Sequence, residues 1–225
     1  MLWLCLNDSL SFFKNNFLAI AVIILPIAIP VEIFNAVYQN YYVSDEFSFV
    51  EQIPTLAVML VAYPIYAVSV IFYMVSKIDG KPMAIKTAWA WGLRFWGPYL
   101  LLIILVTVLV VLGLMAFIIP GIYFAVRFAF SEFELLLNNA TPMAALKQSW
   151  AGTQSVVWEV FIGYVILGVC IFIPVIFLGN LLDEEGRVFQ LLDLGVDAIL
   201  PVFESLFTIF AYRVYVQLKD KRAET

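Results

Sequence analysis

The stretch Pro98–Leu137, PYLLLIILVTVLVVLGLMAFIIPGIYFAVRFAFSEFELLL, decides the fold. It runs for 40 residues and carries no charge before Arg127. A helix needs about 20 apolar residues to cross ~30 Å of hydrocarbon, so the stretch is too long for one crossing and right for two. Ile119-Pro120-Gly121 stands near its centre, and adjacent Pro and Gly punctuate chain reversals. The reading is a tight helical hairpin with arms Pro98–Ile119 and Pro120–Leu137.

Four further apolar runs of spanning length flank this hairpin: Phe17–Tyr38, Pro54–Ser76, Val156–Leu178 and Ala198–Leu218. The expected fold class is therefore all-α, a single polytopic membrane domain over 1–225 with six transmembrane helices. Composition agrees, with 64% hydrophobic and 13% charged residues, where soluble domains have about half and about a quarter. In water such a chain would expose more apolar surface than a monomer tolerates. Apolar runs recur along the whole length, which excludes a secretory leader followed by a soluble domain. Leu-Trp-Leu-Cys ending at Cys5 lacks the charged and apolar regions of a lipoprotein signal and is not read as one. Cys5 and Cys170 fall at different depths, so no disulfide is expected. The sequence has no histidine, which removes the commonest metal ligand and proton shuttle; neither metal nor cofactor is expected.

Lys and Arg set the orientation. One side collects Lys14, Lys77, Lys81, Lys86, Arg94, Lys147, Lys219, Lys221 and Arg222, and the other has Arg187 alone. Arg127 and Arg213 fall within spans. The loops Gln39–Ile53 and Gly179–Asp197 hold Asp45, Glu46, Glu51, Asp183, Glu184, Glu185, Asp193 and Asp197. Both termini are expected in the cytoplasm, with the acidic loops outside.

The cytoplasmic segments have helical stripes of their own. Pro82–Trp96 aligns Ile85, Trp89, Gly92 and Trp96, and Met143–Val157 aligns Leu146, Trp150, Thr153 and Val157. The amino-terminal stretch aligns Leu2, Leu6, Leu10, Phe13 and Phe17. Each is expected to lie along the inner surface, with Lys14, Lys86, Trp89, Arg94, Lys147 and Trp150 at lipid headgroups. The segments also resemble one another: PMAIKTAWA from Pro82 matches PMAALKQSWA from Pro142 with one inserted residue, and FAVR ending at Arg127 echoes FAYR ending at Arg213. Three pseudo-repeats follow, roughly 1–76, 77–137 and 138–218, each a surface helix and a hairpin. Two spans per copy give all copies one orientation, unlike the inverted repeats of many transporters.

SLSFFKNNF (Ser9–Phe17), IIPGIYFAVRFAF (Ile118–Phe130), ALKQSWAG (Ala145–Gly152) and IFAYRVYVQL (Ile209–Leu218) resemble the YciC-like family of bacterial inner-membrane proteins. The resemblance implies six spans and a location in the bacterial inner membrane, and it supplies no catalytic residues. The acidic segment Asp183–Asp197 is not part of it. Surface helices followed by hairpins are also similar to the membrane domain attached to some glycerophosphodiester phosphodiesterases, a fold-level analogy with lipid-related work.

Ionisable residues within spans are costly and face protein or water. At ~1.5 Å per residue, Glu32, Arg127 and Glu204 fall about 9–11 Å below the outer boundary. This outer set is read as a headgroup-binding site, with proton exchange between Glu32 and Glu204, or simple pairing of Arg127 with one carboxylate, as alternatives. A second set, Glu132, Glu134, Glu159 and Arg213, lies toward the cytoplasm. Pro26, Pro30, Pro64, Pro174 and Pro201 fall within spans and are expected to kink them.

No GxSxG, HExxH or phosphate-binding Gly loop is present, so an enzyme is not expected, and neither is a nucleic-acid partner. Two functions remain. The chain binds or moves lipid-like or amphiphilic molecules, with membrane lipids as partners. Alternatively, it is a scaffold or accessory subunit that meets another membrane protein or its own copies.

Overall fold

The structure, a computed structural model, describes residues 1–43, 48–181 and 187–223, with backbone alone at 178–181, 187–193 and 222–223. Asp45, Glu46, Asp183, Glu184 and Glu185 lie outside the described residues, as do the side chains of Arg187, Asp193 and Arg222. Every regular element among the described residues is helical. In chain order these are α1 (Leu2–Tyr42), α2 (Phe49–Ile78), α3 (Ile85–Arg94), α4 (Trp96–Ala116), α5 (Ile118–Arg127), α6 (Ser131–Leu137), α7 (Pro142–Gly152), α8 (Val157–Leu181) and α9 (Arg187–Ala223). Among the described residues, α1, α2, α4, α8 and α9 are long and apolar enough to cross a membrane. Their outward faces are apolar, as lipid contact requires: on α4, Leu101, Ile104, Val108, Val111 and Leu112 are all exposed.

Two expectations change. The amino-terminal stretch is not a separate surface helix, because α1 runs without interruption for 41 residues. The fourth expected span, Pro120–Leu137, is two short helices, α5 with 10 residues and α6 with 7. At ~1.5 Å per residue, α5 covers about 15 Å, half the hydrocarbon thickness.

The chain divides into two compact units. The first comprises Met1–Asn15, Arg94–Leu167 and Leu206–Thr225, and the second comprises Asn16–Leu93 and Gly168–Ser205.

In the first unit the α4–α5 reversal is made at one residue, Phe117, whose backbone is extended (φ −163°, ψ 155°). Its N–H donates to the Gly113 carbonyl at 2.9 Å, and the Gly121 N–H donates to the Phe117 carbonyl at 3.4 Å. Pro120 sits in the first turn of α5, where a missing N–H costs nothing. Gly121 is there for proximity: a Cβ at Gly113 would lie 2.9 Å from the Gly121 Cα, and one at Gly121 would strike Leu114. Between α5 and α6, the backbone turns through Phe128-Ala129-Phe130. Hydroxyls from α7 and the short 3-10 turn after it, Thr153–Ser155, satisfy this break. Ser149 Oγ donates to the Arg127 carbonyl at 2.8 Å and accepts from the Phe130 N–H at 3.1 Å, and Thr153 Oγ1, which has its single proton between the Ser149 carbonyl at 2.9 Å and the Arg127 carbonyl at 3.1 Å, lies beside it. Both residues are wholly buried. Tyr99, Phe130, Phe133 and Phe210 fill the core of this unit, with Phe133 against the rings of Tyr212 and Tyr215.

In the second unit, Ile20, Ile23 and Ile24 of α1, Val68, Ile71 and Met74 of α2 and Val202 of α9 form the buried core. Gly92 lets α3 settle against the Ile65 carbonyl and Ser69 of α2. The Trp89 indole N–H donates to the Ile23 carbonyl at 3.1 Å. Ile23 lies in the turn before Pro26, where proline disrupts the helical ladder and neighbouring helices supply replacement partners.

Candidate functional site

Three helices of the second unit carry proline where a straight helix would have none: Pro26 and Pro30 in α1, Pro54 and Pro64 in α2, and Pro201 in α9. Each removes one intrahelical hydrogen bond and disfavours close parallel packing. Along these helices lie two adjoining cavities. The larger has a volume of about 710 Å³ and is lined by Glu32, Asn35, Gln39 and Asn40 of α1, Thr55 of α2 and Asp197 of α9, among others. The smaller, about 70 Å³, is lined by Glu32, Ala62, Tyr63, Tyr66, Pro201 and Glu204, among others. Glu32 lines both.

The lining combines carboxylates with amide and hydroxyl groups. The Asn35 amide N–H donates to Glu32 Oε2 at 3.4 Å. Asn35 Oδ1 and Thr55 Oγ1 are buried and bond to nothing among the described residues. The Tyr66 hydroxyl is within electrostatic range of both Glu204 and Glu32. The rings of Tyr63 and Tyr66 meet edge to face, with centroids 5.4 Å apart. The structure thus brings together Glu32 and Glu204, two of the three residues expected at matching depth.

Arg127 belongs to the first unit. It is 4% exposed, and its guanidinium lies over the Trp150 ring at 4.3 Å and near the Tyr123 ring at 5.7 Å. Its Nε bonds to nothing among the described residues. Phe124 and Phe128 close around the same indole, at 5.9 and 5.7 Å. Trp150, read from sequence as a headgroup anchor, is thus the hub of an aromatic cluster with a cation on its face. A cation–π contact shielded from water contributes about 1–2 kcal/mol. In a double-mutant cycle in detergent, Arg127→Ala and Trp150→Ala are expected to couple by about 1 kcal/mol or more in thermal unfolding. Strict additivity would show that the stack does not contribute.

The second set, Glu132, Glu134, Glu159 and Arg213, has the following surroundings among the described residues. Glu132 is within electrostatic range of the Tyr164 hydroxyl and close to that of Tyr99. Glu134 accepts from the Asn138 amide, which also donates to the Tyr215 hydroxyl at 3.1 Å. Lys219 donates to Asn138 Oδ1 at 3.5 Å and lies 4.5 Å from the Tyr215 ring centroid. Arg213 is 5.8 Å from the centroid of Phe12. Glu159 is half-buried. Lys14, Lys86, Arg94 and Lys147 are exposed, while Trp89 is half-buried on the Ile23 carbonyl. Both cysteines are free thiols, Cys5 buried and Cys170 exposed.

Asn35, Thr55 and Tyr66 were not singled out by the sequence reading. The signal for Asn35 is its place three residues after Glu32, on the same face of a helix. Thr55 and Tyr66 have no such local signal, since only the packing of α2 brings them to α1. Comparison with protein-family models, with curated proteins and with solved structures gives no match.

Proposed function

We propose that this chain is a non-enzymatic protein of a bacterial inner membrane that binds or moves lipid-like or other amphiphilic molecules. The observation that carries the reading is the pair of adjoining cavities that share Glu32. A chamber of about 710 Å³ falls within the range of small-molecule sites, which combine apolar walls with a few placed polar groups. Its carboxylate and amide groups suit a polar headgroup, and the surrounding apolar helices suit a chain.

In this reading α5 and α6 together make a sixth crossing, both termini are cytoplasmic, and the spans form three hairpins. The Phe117 reversal and the hydroxyl-bonded break at 128–130 support the sixth crossing, because lipid-exposed backbone must be internally satisfied. A structural correspondence supports the repeated unit. Gly92 and Thr153 each follow a tryptophan (Trp89, Trp150) by three residues, and each meets a carbonyl of a preceding helix, Ile65 or Arg127. Membership of the YciC-like family fits the same arrangement.

Native mass spectrometry of gently extracted protein is expected to find a non-covalently bound amphiphile. Ala36→Trp, on the wall of the larger cavity, is expected to weaken that binding by about tenfold or more, a loss of ~1.4 kcal/mol. Folded wild-type protein that carries nothing, or binding unaffected by Ala36→Trp, would contradict the proposal.

A further inference from the structure

One face of α1 carries a polar ladder along the wall of the larger chamber. Glu32, Asn35, Gln39 and Asn40 stand at i, i+3, i+7 and i+8, so they share a face about 12 Å long. Tyr41 of α1 and Asp197 of α9 extend this polar lining, and Val37 and Leu194 supply apolar wall beside it. Gln39, Asn40 and Tyr41 are exposed, so a molecule in the chamber can reach them. The ladder mixes donors with acceptors. A side-chain amide offers two N–H donors and a carbonyl acceptor, and a phenol offers one of each. Glu32 accepts the Asn35 N–H at Oε2, which leaves Oε1 for another donor, and Asp197 already has an interaction of its own within the chain. No Lys or Arg is among the described residues lining either chamber.

We propose that the larger chamber selects amphiphiles whose headgroup is an uncharged polyol, the chemistry of a sugar. This rests on the amphiphile-binding reading above and adds the class of headgroup. A sugar hydroxyl both donates and accepts, so adjacent hydroxyls can meet an amide N–H and carbonyl together and give a proton to a carboxylate oxygen. Phosphate and sulfate are met by Arg and Lys, which the lining lacks, and they would bring like charge toward Glu32 and Asp197. A primary ammonium has donors and no acceptor, so the amide N–H groups of Gln39 and Asn40 would gain nothing from it. A quaternary ammonium has neither and leaves the whole ladder unmet.

The test uses the full chain in a polyoxyethylene detergent, which is neutral and has a single hydroxyl. It is titrated with dodecyl maltoside, dodecyl sulfate or dodecyltrimethylammonium, each below its micellar concentration, and read by native mass spectrometry. Dodecyl maltoside is expected to bind about tenfold tighter than either charged compound, the factor that one or two net hydrogen bonds contribute. Gln39→Leu with Asn40→Leu, at exposed positions that leave Glu32 in place, is expected to remove that preference. Maltose, with the same headgroup and no chain, is expected to bind at least about tenfold more weakly than dodecyl maltoside. Equal binding of the three dodecyl compounds, or preference for a charged one, with sensitivity to Ala36→Trp retained, would overturn the polyol selectivity and leave amphiphile binding standing. Maltose binding as tightly as dodecyl maltoside would do the reverse, keeping the polyol preference and overturning the amphiphile. Failure of all four to bind folded wild-type protein would overturn both.

Discussion

Gly113→Leu is expected to leave little folded protein, because the site has no room even for a methyl group. A Cβ there would meet the Phe124 ring at 2.8 Å and the Gly121 backbone at 2.9–3.0 Å. The ring can rotate, but the backbone of α5 has nowhere to go while Phe117 alone connects the helices. Overpacking costs about 1–3 kcal/mol where side chains can adjust, and backbone contact places Gly113→Leu at or above the top of that range. The measurement is monodisperse yield and thermal unfolding in detergent. Gly97→Leu serves as the matched control, since a Cβ at Gly97 meets nothing within 4 Å. Equal behaviour of the two variants would mean that the α4–α5 crossing is looser than described.

The second large effect is expected at Ser149 and Thr153. Ser149→Ala with Thr153→Val removes the hydroxyl that donates to the Arg127 carbonyl and accepts from the Phe130 N–H, together with the second hydroxyl shared between the Ser149 and Arg127 carbonyls. Each buried polar group left unsatisfied costs about 1–3 kcal/mol, and no water is at hand within a bilayer to replace it. The pair should therefore lose about 3 kcal/mol or more. Thr153→Ser keeps the hydroxyl and should retain most of the stability. The double variant should also raise amide hydrogen exchange at residues 128–131 ahead of the helices on either side. Unfolding at the wild-type temperature, with unchanged exchange in that turn, would remove these hydroxyls from the account of the break.

These two sites show where the sequence was informative and where it was not. That Pro98–Leu137 holds more than one helix was legible because its length exceeds one crossing. The place of the reversal was not, because Pro120-Gly121 satisfies two descriptions at once: a turn, and a helix start with a close packing contact. The break at Phe128–Phe130 left no local mark, since FAVRFAFSEFELLL contains neither proline nor glycine. Its cause lies 19 to 26 residues away, in hydroxyls that looked like ordinary members of a surface stripe. Residue counting along the sequence likewise gave no hint of the surroundings of Arg127. Its aromatic neighbours come from α5 itself and from α7, whose approach depends on the break. Glu32 and Glu204 came out together because each could be counted from the end of a long helix. Asp197 was read as an ordinary loop acid, yet it lies inside α9, which runs from Arg187 without interruption.

The apolar tip of the α4–α5 hairpin bears on how the chain enters the membrane. Met115, Phe117, Ile118 and Ile119 are 71–80% exposed, and the reversal has no charged or hydroxyl side chain. The Phe117 N–H and carbonyl are both bonded within the turn, so this connection carries no charged group to dehydrate. On the proposed topology, α4 and α5 can be inserted as a pair without passing any hydrophilic stretch through the hydrocarbon. On the same topology the segment between α1 and α2 has to carry Asp45 and Glu46 across, with Glu51 in the first turn of α2. On that topology, one polypeptide combines a crossing whose connection must bring charge through the hydrocarbon with another whose connection brings none.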